Sequence, residues 1–501
     1  MAKSIPLPNA AFPGAGTNTD FNPLTQTSSY AGTIAQDPQL RTQIWSELVK
    51  RDAREKNVLK DFIGGEGSGK PIIEKRDLSA GGSDKVTFTT VAPIRGQGVL
   101  GEAILKNSTE SLKFGTFPVE VDLIRHAVSW TQVLKLMRFT GKTLDQLSSE
   151  VMSEWYARKE QDDSLYVARQ TCLLAGEANT LDSYGSIGGA LSYSADGLST
   201  DLLEHMKQRL ISTGGEPTNL RTDGKSGHEI PGYLFFAPDA GLRPLRGDSD
   251  YLAAIYNSDV RSGDNKLYSG EYAMWDNIMV YSHNNIVDTA NGRQGSPMAP
   301  VYYLQTGDTL AINANAATLG TANSGDWFAN WELANLALIS GDTQWDSNPG
   351  TYDFLAIKMT GAQRGRVKHY QYTGQANGNS QLTGVTVQNT QISQAANGIN
   401  ATACTVNFTA GDLIVPADTN GCPIAYGLMM GQNALYYAKG AVDAEQIFHY
   451  DDFANSGNDA HLNAIGMQGV RGWRAYQDTN GRIPGLQLIK MVRQIPGLAS
   501  F

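Results

Sequence analysis

One stretch of the sequence has the glycine spacing of a phosphate-binding loop. Residues 64–70 read Gly-Gly-Glu-Gly-Ser-Gly-Lys and fit G-x-x-x-x-G-K, in which backbone N–H groups surround the phosphates of a nucleotide. The next residue should be Ser or Thr, to hold magnesium, but it is Pro71. A helical pattern precedes the glycines and an extended Pro71-Ile72-Ile73 follows, so no helix N-terminus would point at a phosphate. These residues therefore predict a turn before a strand and not a nucleotide site.

A second glycine motif, Gly96-Gln97-Gly98-Val99-Leu100-Gly101, matches the dinucleotide fingerprint G-x-G-x-x-G. It follows a strand-like run, and Glu120 or Asp122 lies near the sequence distance expected of the acid that binds the ribose. A dinucleotide-binding oxidoreductase that uses Gly96–Gly101 is therefore the alternative function. Against it, only residues 102–106 could be helical, whereas a parallel crossover needs about a dozen residues or more. A hairpin tip is more typical of these glycines.

The remaining polar residues do not form a pattern that predicts catalysis. The seven histidines lack paired metal spacing, and no G-x-S-x-G nucleophile motif is present. The Asp-x-Asn-Gly stretches at 418–421 and 478–481 lack the first and last acidic ligands of a calcium loop, so they predict hairpin turns. Asp451 and Asp452 predict a solvated turn, because adjacent side chains point apart. We predict no catalytic residue, no metal and no cofactor.

Composition excludes several other classes of protein. The chain has 501 residues, 41% of them hydrophobic, which is enough for two to four globular units. Its net charge of −10 argues against wrapping nucleic acid through phosphate contacts, which requires clustered Lys and Arg. No signal peptide and no apolar run of about 20 residues is present. The three cysteines have no close-pair spacing and fit a reducing compartment, so we expect assembly in a cytoplasm.

One long helical pattern dominates the elements that would position any site. Neither Gly nor Pro occurs between Gly141 and Gly176, so nothing in that interval breaks a helix. Thr143 and Gln146 form a capping-box pattern, and Gly176 is a natural stop. At 1.5 Å per residue, a helix over residues 144–175 would be about 48 Å long.

The middle of this helix is charged. An apolar stripe is interrupted there by Arg158, Lys159, Glu160, Asp162 and Asp163. Either these residues form an ordinary solvated face, or they meet neighbouring copies of the chain. The sequence alone leaves both interpretations open.

Strand-like runs at residues 85–94 and 111–124 predict a long β-excursion before the helix. The apolar positions change phase between Gly115 and Pro118, which predicts a bulge or bend. Further along, the patterns predict a helix at 202–211, buried strands at 233–236 and 278–281, an apolar helix at 428–438, and strands within 469–491. The fold class predicted is α+β.

Two segments have unusual composition. Residues 1–36 carry only Lys3 and Asp20 as charged side chains, and predict either a flexible tail or an arm that orders on a neighbouring surface. A helix is predicted to start at Asp37. Residues 370–411 contain no charged residue and predict an inserted small β-domain, with a disordered loop as the alternative.

Six stretches, in their order and spacing, are similar to one known family. They read IWSELVKRDAREKNVLKDFIG, DKVTFTTVAPIRGQGVLGEAIL, FGTFPVEVDLIRHAVSW, GYLFFAPDAGLRPLRGDSDY, LYSGEYAMWDNIMVYSHNNIV and AYGLMMGQNALYYAKG. The chain resembles the tailed-bacteriophage major capsid proteins with the Hong Kong 97-type fold, in particular the subgroup typified by the capsid protein of coliphage N-four. The resemblance spans most of residues 40–490. The uncharged segment 370–411 departs from the common pattern.

The resemblance implies a capsid fold with six parts. These are an N-terminal arm (1–36), a helix and linker (37–79), an extended β-hairpin loop (80–122), a peripheral domain (123–215) with a spine helix (143–175), an axial domain (216–440) with a β-rich insertion (about 370–411), and a C-terminal return to the peripheral domain (441–501).

The function implied is structural and not enzymatic. Copies would form hexamers and pentamers of an icosahedral shell that encloses packaged double-stranded DNA without sequence-specific binding. Because only about 36 residues precede the first predicted helix, we expect a separate scaffolding protein, together with a portal and optionally a decoration protein. The protein would be located in the virion capsid after assembly in the bacterial cytoplasm. Covalent cross-linking near Lys106 and Asn107 is compatible with the fold, but no residue here demands it.

The resemblance also implies which residues contact other subunits. In the extended loop and the spine helix they are Phe88, Gly96, Gly98, Leu100, Lys106, Asn107, Phe114, Arg158, Lys159, Asp162 and Asp163. The charged middle of the helix is expected to face a neighbouring subunit or the shell interior.

Overall fold

The computed structural model describes part of the chain. The described residues are 59, 62–76, 85–91, 99, 111, 114–131, 144–176, 179–181, 197–222, 229–253, 274–282, 297–299, 302–304, 308, 310, 316–318, 352–359, 361, 363–372, 374–376, 381–383, 385–387, 400–417, 421–440, 446–450, 462–478 and 481–493. The predicted arm at 1–36 and the predicted helix from Asp37 lie outside these residues, as do Gly96, Gly98, Leu100, Lys106 and Asn107.

The described elements follow one another in this order. Five strands come first: β1 (Ile63–Gly64), β2 (Ile72–Lys75), β3 (Lys85–Val91), β4 (Phe114–Glu120) and β5 (Asp122–Thr131). The central elements are α1 (Leu144–Leu174), β6 (Thr180–Leu181), α2 (Thr200–Ser212), β7 (Thr218–Thr222), β8 (Glu229–Ala237), the one-turn helix α3 (Asp239–Leu242) and the 3-10 turn Pro244–Gly247.

The rest of the described chain is β-structure. Its strands are β9 (Met274–Trp275), β10 (Ile278–Ser282), β11 (Tyr302–Tyr303), β12 (Ala316–Thr318), β13 (Tyr352–Ile357), β14 (Arg366–Tyr372), β15 (Gly374–Ala376), β16 (Gln381–Thr383), β17 (Thr386–Val387), β18 (Asn400–Ala403), β19 (Leu413–Ala417), β20 (Ile424–Met430), β21 (Leu435–Lys439), β22 (Gln446–Tyr450), β23 (Leu462–Arg474) and β24 (Leu486–Val492). Within the described residues, no helix is long and apolar enough to cross a membrane.

The long helix ends within one residue of its predicted terminus. It runs from Leu144 to Leu174, and its apolar residues Leu165, Ala168 and Cys172 are buried. Arg169 on the same helix is also fully buried; its guanidinium donates to the carbonyl oxygen of Pro297 and lies 5.4 Å from the ring centroid of Tyr426. The helix is therefore fixed to β20 by aliphatic packing and by a desolvated cation.

The first sheet has the order β1-β2-β21-β23-β22, and β5 also pairs with β23. The β5–β23 ladder is antiparallel and extends from Leu462 opposite Thr131 to Arg471 opposite Asp122. Helix α1 contacts both strands. This ladder brings residues near the C-terminal end of the chain beneath the long helix.

The second sheet has the order β6-β24-β20-β8-β10-β9, with β7 paired to β8. All seven residues of β20 are buried. Because strand side chains alternate between faces, Tyr426 and Leu428 join a core on one side while Ala425 and Met429 join the core beneath α2 on the other. The predicted strands 233–236 and 278–281 and the predicted helix 202–211 are confirmed as β8, β10 and α2.

The apolar helix predicted for residues 428–438 is wrong. The segment forms the end of β20, a turn, and β21, and the turn residue Asn433 has a φ of 55°. A short continuous apolar run is compatible with either a buried strand or a buried helix, because periodicity does not separate the two. Here the segment forms strands because tertiary packing buries both of its faces.

The uncharged segment forms strands, but within a larger unit than expected. A third sheet has the order β11-β19-β13-β14-β17, with β18 against β14, and β12-β16-β15 form a small separate sheet. A buried ion pair lies beside β13 and β19 of the third sheet. Lys358 Nζ is 2.6 Å from Asp412 Oδ2, and both side chains are buried. Asp412 also accepts from the backbone N–H groups of Met359 and Thr409, so the buried ion pair is fully hydrogen-bonded.

The end of α1 is joined to β24 by Asn179, which is fully buried. Its amide Nδ2 donates to the carbonyl oxygens of Ile483 (2.8 Å) and Leu486 (2.7 Å), and its Oδ1 accepts from the N–H of Ile483 (2.9 Å). Its backbone carbonyl accepts from the N–H of Leu488. One amide side chain thus provides hydrogen-bond partners for three backbone groups of the segment that leads into β24.

We expect Asn179→Asp to lower the free energy of unfolding by about 3 kcal/mol, because two buried carbonyls lose their donor and face a carboxylate. Urea denaturation of the unassembled subunit measures the change. Asn407→Asp, at an exposed position, is the matched control and should change stability by less than about 0.5 kcal/mol. Equal free energies of unfolding for the two variants would contradict the stabilising role of the Asn179 side chain.

Candidate assembly interface

The hairpin that precedes the long helix is an unusual element. Strands β3 and β4 pair antiparallel from Lys85 opposite Glu120 to Val91 opposite Phe114, and among the described strands they pair only with each other. Such a two-stranded sheet is marginally stable unless one face is covered. Here one face is covered at its root, where Val86, Phe88, Phe117 and Val119 are buried against Ile73, Tyr436 and Ala438.

Aromatic rings hold this root together. Phe88 and Phe117 stack with centroids 5.7 Å apart, and Tyr436 meets them edge-on at 5.0 and 4.6 Å. Tyr476 lies 5.3 Å from Phe117. Burial raises the pKa of Tyr436 to about 12, and the neighbouring Tyr476 and Glu66 add to the shift. Tyr436 is therefore uncharged at neutral pH.

Polar contacts complete the attachment. Arg474 Nη1 donates to the carbonyl oxygen of Pro118 at 2.7 Å, and Lys75 Nζ donates to that of Thr87 at 3.1 Å. Lys85 and Glu120 form an exposed ion pair across the two strands at 2.8 Å. The hydrogen bond from Lys85 and its charge lower the pKa of Glu120.

The chain changes pairing partner at Val121. Strand β4 ends at Glu120 on β3, and β5 starts at Asp122 on β23. A Cβ added to Gly472 would lie 1.9 Å from the carbonyl oxygen of Glu120, so only glycine permits this approach. The bulge predicted between Gly115 and Pro118 is wrong, because the β3–β4 register is continuous there.

The charged middle of α1 makes contacts within its own subunit. Lys159 pairs with Asp163 one turn away, and Arg471 Nη2 donates to Asp163 Oδ2 at 3.1 Å. Asp162 and Arg471 are each only 2% exposed. For Arg158 the structure describes the helical backbone alone. That these residues also face a neighbour stays a prediction.

A cleft of about 400 Å³ separates α1, β23 and the β4–β5 junction. Its lining consists of Glu120, Val121, Asp122, Ile124, Asp163, Tyr166, Val167, Arg471, Gly472 and Trp473. Within the described part of the chain, no group of three or more His, Cys, Asp or Glu residues could hold a metal ion.

Of the predicted contact residues in the hairpin, the structure describes Phe88 and Phe114, and their environments differ. Phe88 is 1% exposed and belongs to the root of its own subunit, whereas Phe114 is 65% exposed. Sequence reasoning missed Tyr436, Gly472 and Arg474, which complete the root from more than 300 residues away. The only local signal was the β-like composition around Gly469–Met491.

Both glycine motifs now have a structural context. The stretch 64–70 connects β1 to β2 with positive φ at Gly67 and Gly69, and a strand follows it, as expected for a turn. The fingerprint 96–101 lies in the connection between β3 and β4, which are antiparallel. A dinucleotide-binding unit requires parallel strands joined by a helix, so the pairing opposes that alternative.

Comparisons with known proteins agree with this architecture. Residues 29–168 match the family model Phage_capsid_3, described as phage capsid protein. The fold is similar to the capsid of Ralstonia phage GP4, with a TM-score of 0.51 at 12% identity over 89% of this chain and 93% of that chain. Cyanophage Pam1 capsid gives a TM-score of 0.49 at 12% identity over 88% and 93%. No curated protein matches the chain.

The family match over residues 29–168 and the shared fold agree with the resemblance to phage capsid proteins drawn from the sequence, and the subgroup of coliphage N-four stays a prediction. The chain has the α+β fold of tailed-phage major capsid proteins.

We expect Phe117→Ala to lower the free energy of unfolding of the isolated subunit by about 3–5 kcal/mol, because it opens a cavity among three rings. The matched control on the same strand is Phe114→Ala, which removes an exposed ring and should change it by less than about 0.5 kcal/mol. Urea denaturation of unassembled protein measures both. Similar losses for both would show that the root is not the anchor.

Gly472→Ala should detach the hairpin root, because its Cβ would collide with backbone and not with a movable side chain. We expect faster hydrogen–deuterium exchange at the amides of β3 and β4, with slow exchange retained in β20 and β24. Gly247→Ala, whose added Cβ meets nothing within 4 Å, is the control. Unchanged exchange in β3 and β4 would show that the close approach is unimportant.

Proposed function

We propose that copies of this chain associate through the β3–β4 hairpin into hexamers and pentamers of an icosahedral shell around packaged double-stranded DNA. One observation carries the proposal: the hairpin is anchored at its root, yet it pairs with no other described strand and presents Phe114 at 65% exposure. An anchored hairpin that pairs with no further described strand and carries an exposed aromatic ring is suited to bind a neighbour.

Physical chemistry favours assembly over isolation for such an element. A two-stranded sheet with one open face gains stability when its unpaired edges and exposed apolar side chains are buried. If a neighbouring copy buries these groups, the hairpin is more stable in the shell than in the isolated subunit. The predicted arm, residues 1–36, would act in the same way.

The comparisons support a shell but describe other proteins. The capsid of Ralstonia phage GP4 is similar in fold, and residues 29–168 match a capsid family model. For this chain we infer a non-enzymatic role in the virion capsid, with the domain bounds given by the resemblance. We further infer assembly in the host cytoplasm with a separate scaffolding protein and a portal, and optionally a decoration protein. The net charge of −10 would keep packaged DNA from adhering to the wall.

Electron microscopy of the purified protein tests the proposal. Closed shells or capsomers are the expected result. A monomer or small oligomer whose melting temperature rises with NAD would instead favour the dinucleotide-binding oxidoreductase and overturn the capsid function.

Phe114→Ser should leave the subunit folded but reduce the yield of closed shells, because the exposed ring is lost from the contact surface. Thr116→Ser, at an exposed position on the same strand, is the control. Circular dichroism reports folding, and sedimentation reports shells. Normal shell yield from the Phe114→Ser variant would exclude Phe114 from the contact.

A further inference from the structure

We infer that a basic cluster on β14 and the turn before it, formed by Arg364, Arg366 and Lys368, binds carboxylates of a second copy of this chain. The carboxylates that fit are Asp201 and Asp250, at the start of α2. The inference rests on the proposed function, because it names one contact through which copies would join. It concerns a surface distinct from the exposed hairpin.

The basic cluster lies where β13 turns into β14. Gly361 and Gly365 have positive φ in this turn, and the N–H of Gly365 donates to the carbonyl oxygen of Lys358 at 2.8 Å. The side chain of Gln363 joins the turn to the segment after β18, because its Oε1 accepts from the N–H of Thr405 at 2.8 Å. The cations are therefore carried by a turn that is hydrogen-bonded on two sides.

The charges of the basic cluster are not balanced by neighbouring side chains. Arg364 is exposed, and Arg366 and Lys368 are half-buried. None of the three side chains forms an ion pair or a hydrogen bond with a residue that the structure describes. In the ladders Arg366 lies opposite Asn400 and Lys368 lies opposite Ala356, so no acid is in register with either cation.

The acids of this part of the chain are buried and have other partners. Between residues 352 and 417 the sequence contains only Asp353 and Asp412 as acids. Asp412 Oδ2 is 2.6 Å from Lys358 Nζ, and Asp353 Oδ1 is 2.8 Å from His369 Nε2. On the described strands of the third sheet, the charges that reach the surface are therefore all positive.

A second copy of the chain suits this surface better than DNA does. The net charge of −10 attracts the basic cluster to another copy, whereas the same net charge repels phosphates. Val406 also lies beside the turn, since it follows Thr405, and its side chain is 42% exposed. Cations next to an exposed apolar side chain are suited to a protein surface.

Asp201 and Asp250 form an acidic corner at the start of α2. Asp248 holds the two segments together, because its Oδ2 accepts from the N–H of Thr200 at 2.9 Å and its Oδ1 accepts from the N–H of Asp250 at 3.0 Å. Asp201 and Asp250 are both exposed, and neither forms an ion pair with a residue that the structure describes.

Two cations that are close to the acidic corner along the chain have other partners. Lys207 pairs with Asp276 at 2.6 Å, and Arg246 pairs with Asp239 at 3.2 Å. The negative charge of the corner is therefore available to a partner outside the subunit.

The basic cluster and the acidic corner lie on opposite sides of the second sheet. Helix α2 packs on one face, in the core that contains Phe235. Strand β14 contributes Val367 to the core on the other face, which contains Phe236. Because strand side chains alternate, Arg366 and Lys368 point away from that core. Stacked sheets alone are about 10 Å apart, so the two surfaces cannot form an ion pair within one subunit.

Complementary surfaces on opposite sides join copies head to tail. Such a heterologous contact closes into a ring when the rotation between copies permits, and otherwise continues as an open array. A shell built of rings would use this contact repeatedly.

Charge exchange tests the contact. One variant carries Arg364→Glu and Lys368→Glu, a second carries Asp201→Lys and Asp250→Lys, and a third carries all four changes. The control carries Arg125→Glu and Arg482→Glu, which reverse two exposed cations on other elements. Circular dichroism and thermal melting report folding, sedimentation velocity reports association, and electron microscopy reports shells.

We expect the first two variants to stay folded and to associate about tenfold more weakly than wild type, because attraction at each contact becomes repulsion. The fourfold variant and the control should associate as wild type does. If charge reversal unfolds the subunit, the neutral pair Arg364→Gln and Lys368→Gln replaces it and should also weaken association.

Mixing the first two variants distinguishes a contact between copies from one within a subunit. In an equimolar mixture, each head-to-tail contact between unlike copies pairs opposite charges again, so association should return. A contact within one subunit would not be restored by mixing. The mixture is scored by the size of its oligomers, because a ring of five copies cannot alternate.

Three results would overturn the inference. The first is normal association of either parent variant. The second is a mixture, or a fourfold variant, that does not associate although both parents fold. The third is binding of a labelled DNA duplex by the wild-type subunit that the Arg364→Glu, Lys368→Glu variant loses, which would assign the cluster to phosphates. In all three, wild-type protein still forms shells. Absence of shells from wild-type protein would instead contradict the proposed function.

Discussion

Strand β23 is the constraint on which the rest of the described structure depends. It pairs with β5 over ten residues, with β21 and with β22, and it contacts α1 and β4. Its Gly472 admits the backbone of Glu120, its Arg471 donates to Asp163 on the helix, and its Arg474 donates to Pro118 on the hairpin. One strand thus fixes the helix and the hairpin relative to each other.

This arrangement divides the hairpin into two physically different parts. At the root, Phe88 and Phe117 are packed by Tyr436, so this part is as well buried as a domain core. At the end of β4, Phe114 is exposed in the same strand. The root is joined to α1 through β23, because β23 contacts both β4 and the helix.

Local patterns predicted the elements whose signals are contained within them. The capping box at Thr143 and the stop at Gly176 placed α1 within one residue, and the strand-like run at residues 85–94 identified β3. Two predictions failed because their evidence lay elsewhere. Residues 428–438 are strands because tertiary packing buries both of their faces. The phase change near Pro118 does not interrupt the β3–β4 register. The chain changes its partner strand at Val121 instead.

The sequence by itself determined the long helix, the strands of the hairpin and the turn at residues 64–70, because periodicity, capping and glycine spacing are local properties. Only the tertiary structure decided which residues form the root of the hairpin and the cleft. Tyr436, Arg471, Gly472 and Trp473 reach Phe117, Asp163 and Glu120 across more than 300 residues of chain. Contacts at that separation depend on which strands pair, and pairing is decided by burial over the whole sheet and not by any single segment.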